Sequence, residues 1–300
     1  MLRVCSLPNC LSHRHLTILL AVFCVLINCL DLSSANSEEP LLHPNDRLAI
    51  LGGTLVERMQ SSGALEAEIQ SRRPEWKIAC RNLGWSGDDV HGLARKVFDN
   101  AEAGFSRLLK DVQTANPTVV LVAYGFAEAS DGPEAVNRFE GGLNRLLDEL
   151  QKQKRRVVLL SPFAMPGIRA PGYDQSISRC QEIVGSIARR RDLPVITTNW
   201  VPEPEDVTED GLHPSDLGFT HLAEPLATQL VGGKGKRGEN AALRTEIVSK
   251  NQLFFHRYRP QNETYLFLFR KHEQGNNASE IPQFDPLIQA ADERIWAAAK

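Results

Sequence analysis

Thr54, Asp210 and His213 are the residues whose types and spacing suit acyl-transfer chemistry. Thr54 follows Gly52 and Gly53 in "RLAILGGTLVERMQ" (47–60), one hydroxyl at the corner between an apolar run and an amphipathic segment. Asp210 and His213 stand in "DGLHPS" (210–215) on a stretch rich in turn residues. A carboxylate at that spacing accepts from one ring nitrogen and fixes the tautomer, leaving the other nitrogen to serve a nucleophile. Threonine is a competent nucleophile when a base is near. Its methyl, however, restricts χ1 and crowds the line of attack. Each motif also has a plainer reading. "TLVE" (54–57) fits a capping box, with Thr54 and Glu57 satisfying each other's amides at a helix start. Asp210 with Gly211 fits a turn, and Ser215 fits the cap of the next helix.

The elements that position these residues follow from the apolar pattern. Apolar runs fall at 48–51, 76–80, 118–123, 156–160 and 194–197, separated by segments of helical spacing. The clearest helix is "PEAVNRFEGGLNRLLDELQKQK" (133–154), with Val136, Phe139, Leu143, Leu146, Leu147 and Leu150 on one face. The last, from about Ser215 to Leu230, aligns Phe219, Leu222, Ala223, Leu226 and Leu230. Strand and helix alternate, so the chain is expected to build a parallel sheet with helices on both sides. Chemistry in such folds gathers at the carboxyl ends of the strands. There the chain places Thr54, then "NLGWSGDDV" (82–90), "YGFAEAS" (124–130) and the stretch with Asp210 and His213.

Composition bounds the rest. At 300 residues, 42% hydrophobic and 24% charged, with a formal charge of −3, nothing pulls the chain toward nucleic acid or an anionic membrane. Leu16 to Leu30 carries no charge, follows Arg3 and Arg14, and precedes small residues suited to cleavage after Ala35 or Ser37. It is shorter than the roughly 20 residues a spanning helix needs, so residues 1–35 read as a secretory signal peptide rather than an anchor. A lipoprotein site at Cys29 fits less well, because Asn28 precedes it. Removing 1–35 takes two arginines and one aspartate and leaves the charge at −4. It also takes every cysteine but Cys80 and Cys180, which form neither a disulfide framework nor a metal motif.

Beyond the domain expected over 36–232, "VGGKGKRGEN" (231–240) reads as a linker. Residues 233–300 form a C-terminal extension, aromatic-rich up to Arg270 and then polar and helical. It lacks the apolar content for its own core and is expected to lie over the main domain, its aromatics packing rather than binding. Asn262 and Asn277 head short glycosylation patterns.

In order and spacing, the strand-end motifs over about residues 45–230 resemble the SGNH, or GDSL-type, hydrolases. That resemblance implies a three-layer α/β/α flavodoxin-like fold with a five-stranded sheet of order 2-1-3-4-5. It also implies ester hydrolysis without a metal or other cofactor. "SGDDV" and "DGLHPS" match the family's second and last motifs, which makes Gly87 a backbone donor to the oxyanion and gives Asp210 and His213 their roles. The other two motifs depart. Thr54, in Gly-Gly-Thr, stands where Gly-Asp-Ser belongs, and Ala127, within 125–128, stands where an asparagine donor belongs.

The leading reading is a secreted or periplasmic esterase acting on a small-molecule or carbohydrate acyl ester. Thr54 attacks, His213 is base, Asp210 orients it, and the amides of Thr54 and Gly87 hold the oxyanion. No nucleic-acid partner and no membrane span after signal cleavage are expected; the oligomeric state is left open. The alternative is a pseudo-hydrolase that keeps the cleft to bind glycans or a protein, with Trp85 and Trp200 placed to stack on a sugar or to sit half-buried at the rim. A dinucleotide-binding domain fits worse, since no G-x-G-x-x-G follows the first strand.

Overall fold

The computed structural model describes residues 39–165, 167–198, 207–234 and 240–300; the signal segment 1–35, part of the linker and Trp200 lie outside them. Strands β1 (Arg47–Gly52), β2 (Ala79–Gly84), β3 (Val119–Ala123), β4 (Arg156–Leu160) and β5 (Val195–Ile196) form one parallel sheet of order β2-β1-β3-β4-β5. Between and after them run α1 (Thr54–Ser62), α2 (Ala64–Arg72), α3 (Ala101–Ala115), α4 (Phe126–Asp131), α5 (Pro133–Lys152), α6 (Tyr173–Arg191) and α7 (Asp216–Val231). This is the expected fold and strand order.

Alternate side chains of a strand point to opposite faces, and here both parities are apolar. Leu48 and Ile50 of β1 pack with Leu55, Val56 and Ile69 of α1 and α2 and with Phe219 and Leu226 of α7. Ala49 and Leu51 pack with Leu108 of α3, Leu143 of α5 and Ile183 of α6. Burying one such large side chain contributes roughly 1.5–3 kcal/mol. A solvent-exposed ion pair contributes about 0–1 kcal/mol. The two apolar layers therefore hold the domain together, and the surface ion pairs add little.

The second strand corrects the expectation of 76–80. Pro74–Trp76 is a single 3-10 turn, Lys77 turns back at φ 49°, and β2 starts at Ala79. Its polar residues hid it from the pattern, yet each has work. Arg81 pairs with Asp292, and the Asn82 amide donates to the Val56 carbonyl while its oxygen accepts from Gly84 N–H. The fifth strand is only Val195–Ile196. Cys80 and Cys180 are unpaired and lie in opposite apolar layers.

The C-terminal segment adds α8 (Ala241–Tyr258), α9 (Glu263–Leu266), α10 (Lys271–Gln274) and α11 (Phe284–Ala298). Leu243 and Ile247 of α8 pack on Ile295 of α11. Together these helices cover the edge strand β2, and their side chains donate to carbonyls along it and just before it. Trp296 Nε1 donates to Ile78 at 3.1 Å, Lys250 Nζ to Cys80 at 2.9 Å and Tyr258 Oη to Gly84 at 2.9 Å. An exposed strand edge is a pairing hazard, and here it is closed. Phe254 and Tyr258 are buried, whereas Phe267 and Phe269 are exposed, the latter edge-on to exposed Phe98 at 5.8 Å. Asn262 and Asn277 are exposed. Among the described residues no helix is long and apolar enough to cross a membrane.

Candidate active site

Thr54 is the first residue of α1, directly after β1. The capping box read from "TLVE" does not form. Gly53, not Thr54, is the N-cap, its carbonyl accepting from Glu57 N–H at 3.1 Å, so the Thr and Glu are one residue out of phase with the box. Thr54 Oγ1 instead accepts from Gly87 N–H at 3.0 Å. The Glu57 carboxylate reaches away from the helix to accept from Ser86 N–H and pairs with Arg259 at 3.1 Å.

The Gly87 amide is aimed by a tight turn. Asp88 N–H donates to the Trp85 carbonyl at 3.0 Å, and Gly87, third in the turn, has φ 72°. That is the type II arrangement, which needs a residue tolerant of positive φ at this place. Gly53 lets the turn come close: a Cβ there would sit 2.8 Å from the Asp88 carbonyl oxygen.

His213 comes from the far side of the sheet's carboxyl edge, on a loop pinched by Thr208 and Pro214 just before α7. Its Nδ1 lies 2.7 Å from Asp210 Oδ2, and the other carboxylate oxygen accepts from His213 N–H at 2.7 Å and Leu212 N–H at 2.9 Å. The His213 amide and ring, then the Leu212 amide, hold the Asp210 carboxyl well below its usual range. Asp210 as acceptor places the ring proton on Nδ1 and leaves Nε2 as the basic nitrogen. The turn and cap readings hold as well: Ser215 Oγ accepts from Gly218 N–H at 3.1 Å and starts α7.

Thr54, Gly87, Ala127 and His213 line one cavity of about 240 Å³. Leu55, Phe126, Met165, Ile168 and Leu212 give it an apolar wall. Ala127, in the first turn of α4, presents only a methyl there. Trp85 does not line this cavity. It is 6% exposed, its ring packed beneath the Arg259 guanidinium at 3.7 Å from the centroid, and so is neither a sugar platform nor a half-buried rim. The type II turn directs residue 85 inward while exposing Ser86 and Gly87.

Reading the strand ends alone missed the carboxylates that brace these loops. Asp88 Oδ2 accepts from Arg95 Nε at 2.7 Å and Tyr124 Oη at 3.1 Å, and Arg95 also pairs with Asp111 at 2.7 Å. Burial pushes the Asp111 carboxyl up to about 6 in spite of Arg95. Glu128, next to Ala127, accepts from Val90 N–H at 2.9 Å and Gly125 N–H at 2.8 Å, tying the loop after β2 to the loop after β3. Its burial pushes that carboxyl up to about 7 against the pull of the amides. Asp88 and Glu128 each lie one residue beyond a motif position, which was the available signal. Among the described residues no group of three or more acidic, histidine or cysteine side chains is arranged to hold a metal.

A family model described as the GDSL-like Lipase/Acylhydrolase family matches residues 57–220. No match is found among curated proteins. Of solved structures, a catalytic mutant of Axe2, an acetylxylan esterase from Geobacillus stearothermophilus, superposes with TM-score 0.53 at 18% identity, over 66% of this chain and all (100%) of that one. LAE5, an alpha/beta hydrolase enzyme from the metagenome of Lake Arreo, Spain, gives 0.51 at 17% identity, over 63% and 98%. BT4096, a gut microbial diltiazem-metabolizing enzyme, gives 0.50 at 18% over 66% of this chain, which spans about half (49%) of that one. At these identities the likeness is one of fold.

Proposed function

The chain belongs to the GDSL-like lipase/acylhydrolase family, and on that premise we propose that it hydrolyses an acyl ester in the cavity lined by Thr54 and His213. The observation that carries this reading is His213 on that cavity wall with Asp210 on its Nδ1 at 2.7 Å, opposite a hydroxyl that accepts from Gly87. Nε2 of His213 takes the Thr54 proton as Oγ1 bonds to the acyl carbon. The carbonyl oxygen becomes an oxyanion held by the N–H groups of Thr54, at the open start of α1, and of Gly87. Asp210 stabilises the imidazolium. The proton then passes to the departing alcohol oxygen as its bond to carbon breaks. Water, deprotonated by His213, cleaves the acyl-Thr54 ester and regenerates the hydroxyl.

The cavity's size and wall bear on the substrate. At about 240 Å³ it falls below the ~300–1,000 Å³ of pockets that enclose drug-sized ligands. It suits a short acyl group with the alcohol portion outside, and acetylated carbohydrate is one such substrate, the class named for Axe2. The apolar stretch Leu16 to Leu30 supports export, and the proposed site of action is secreted or periplasmic.

A binding-only reading draws on Ala127. Loss of one oxyanion donor typically costs about 10²–10³ in rate. Turnover of short-chain aryl esters and acetylated sugars decides between them, with His213→Ala as control. Hydrolysis that His213→Ala abolishes is the expected result. Equal rates for the two proteins would leave a binding cleft.

A further inference from the structure

We propose that Arg259, in the C-terminal segment, is a positioning residue for the Gly87 amide, and so that the segment beyond the family match completes the active site. The inference rests on the reading of that amide as an oxyanion donor. The turn that aims Gly87 is gripped at three successive residues by the pair that ends α8. Tyr258 Oη donates to the Gly84 carbonyl at 2.9 Å. The Arg259 guanidinium lies over the Trp85 ring at 3.7 Å from its centroid. Arg259 Nη1 also pairs at 3.1 Å with the Glu57 oxygen that accepts from Ser86 N–H.

Without Arg259, Glu57 keeps the Ser86 amide but loses the cation that holds its carboxylate over the turn. The α1 dipole holds a carboxylate near the first turn but does not fix it over one loop. Arg259 does. The guanidinium is planar and offers several donors, so one face packs on Trp85 while an edge donor holds Glu57. Glu57 and Arg259 are mostly buried, at 21% and 26% side-chain exposure, so solvent screens this contact less than it screens the surface pairs. On the other flank Asp88 is held by Arg95 and Tyr124, from within the matched domain. Arg259 and Tyr258 lie past residue 220, where the family match ends. The brace on the Trp85–Ser86 side therefore comes from outside the matched span.

The test uses the full chain with Arg259→Met and Arg259→Lys. Arg257→Met serves as a control, since Arg257 pairs with Asp285 of α11 and not with the turn. Expected for Arg259→Met is a fall in kcat of about 10-fold or more with KM within twofold, as for a misplaced transition-state donor. Arg259→Lys recovers part of it and Arg257→Met matches wild type. Amide hydrogen exchange at Ser86 and Gly87 should quicken by about 10-fold or more in Arg259→Met, while β3 amides are unchanged, as local opening requires. If β3 exchange also rises, Arg259→Lys is the deciding variant. Unchanged exchange at 86 and 87, or a kcat loss shared by Arg257→Met, overturns the proposal. If wild type shows no His213-dependent hydrolysis, the esterase reading fails, and the exchange measurement still decides whether Arg259 holds the turn.

Discussion

Thr54 Oγ1 and the Gly87 amide are 3.0 Å apart, the amide donating. The hydroxyl oxygen and the amide proposed as oxyanion donor are thus already paired, across a gap of 33 residues in sequence. The chemistry proposed here requires Gly87 to transfer that donation to the developing oxyanion. Ala127, where the family resemblance places a third donor, offers none.

Restoring that donor is the most direct test. Thr54→Ser removes the methyl, and Ala127→Asn adds a carboxamide on the cavity wall. The double variant should raise ester hydrolysis by at least ~10²-fold, the usual worth of one donor. The two changes should couple, because both act on one transition state. Single and double variants compared by kcat/KM on an aryl ester measure this. Thr54→Ala should fall to the rate of His213→Ala.

Asp210→Asn separates orientation from folding. The carboxamide oxygen can still accept from the amides of Leu212 and His213, so the loop should persist. Its NH2 facing Nδ1 would force the ring proton onto Nε2, removing the base. A loss in kcat of up to ~10⁴ with little change in KM is expected, by analogy with serine proteases. Asp210 is held below its usual range by amide and ring donors, so it stays ionised in mild acid and the acid limb of the rate profile is not its own.

Glu128 makes stability depend on pH. Its folded value is pushed up to about 7 from an ordinary 4.5, so between those values the folded state holds the proton and the unfolded chain does not. Unfolding releases that proton, so Glu128's contribution declines as pH rises from 4.5 to 7 and is flat outside that window. Denaturant midpoints of Glu128→Gln, taken across the window, should show a shallower decline than wild type. An equal slope in both proteins would assign the linkage to other groups, Asp111 first, whose value of about 6 acts in the same sense.

Cys80 and Cys180 should be silent until the fold opens. Both are buried, and burial raises both thiols, Cys180 to about 12. Thiol labelling of residues 36–300 without reductant should give no adduct in native buffer and two in denaturant. No adduct in denaturant would mean a disulfide that the opposite layers of the sheet exclude.

The amino-acid pattern alone determined the parallel sheet, its helices and the places of Thr54, Asp210 and His213, because burial on both faces of a strand and along one face of a helix is written in residue periodicity. The order of the candidate site residues along the chain was legible for the same reason: each motif sits where a strand must end. Tertiary structure decided what periodicity cannot carry. Strand β2 mixes Arg81 and Asn82 with apolar residues because it lies at the edge, where long-range partners such as Asp292 satisfy the polar groups. The α1 cap falls one residue earlier than "TLVE" suggests, and Thr54 Oγ1 meets Gly87 from a distant loop instead of its own helix. The direction of Trp85 depended on a turn and on a guanidinium 174 positions later in the chain. Contacts between residues so far apart leave no spacing to read. They exist only once the sheet has brought the loops to one edge.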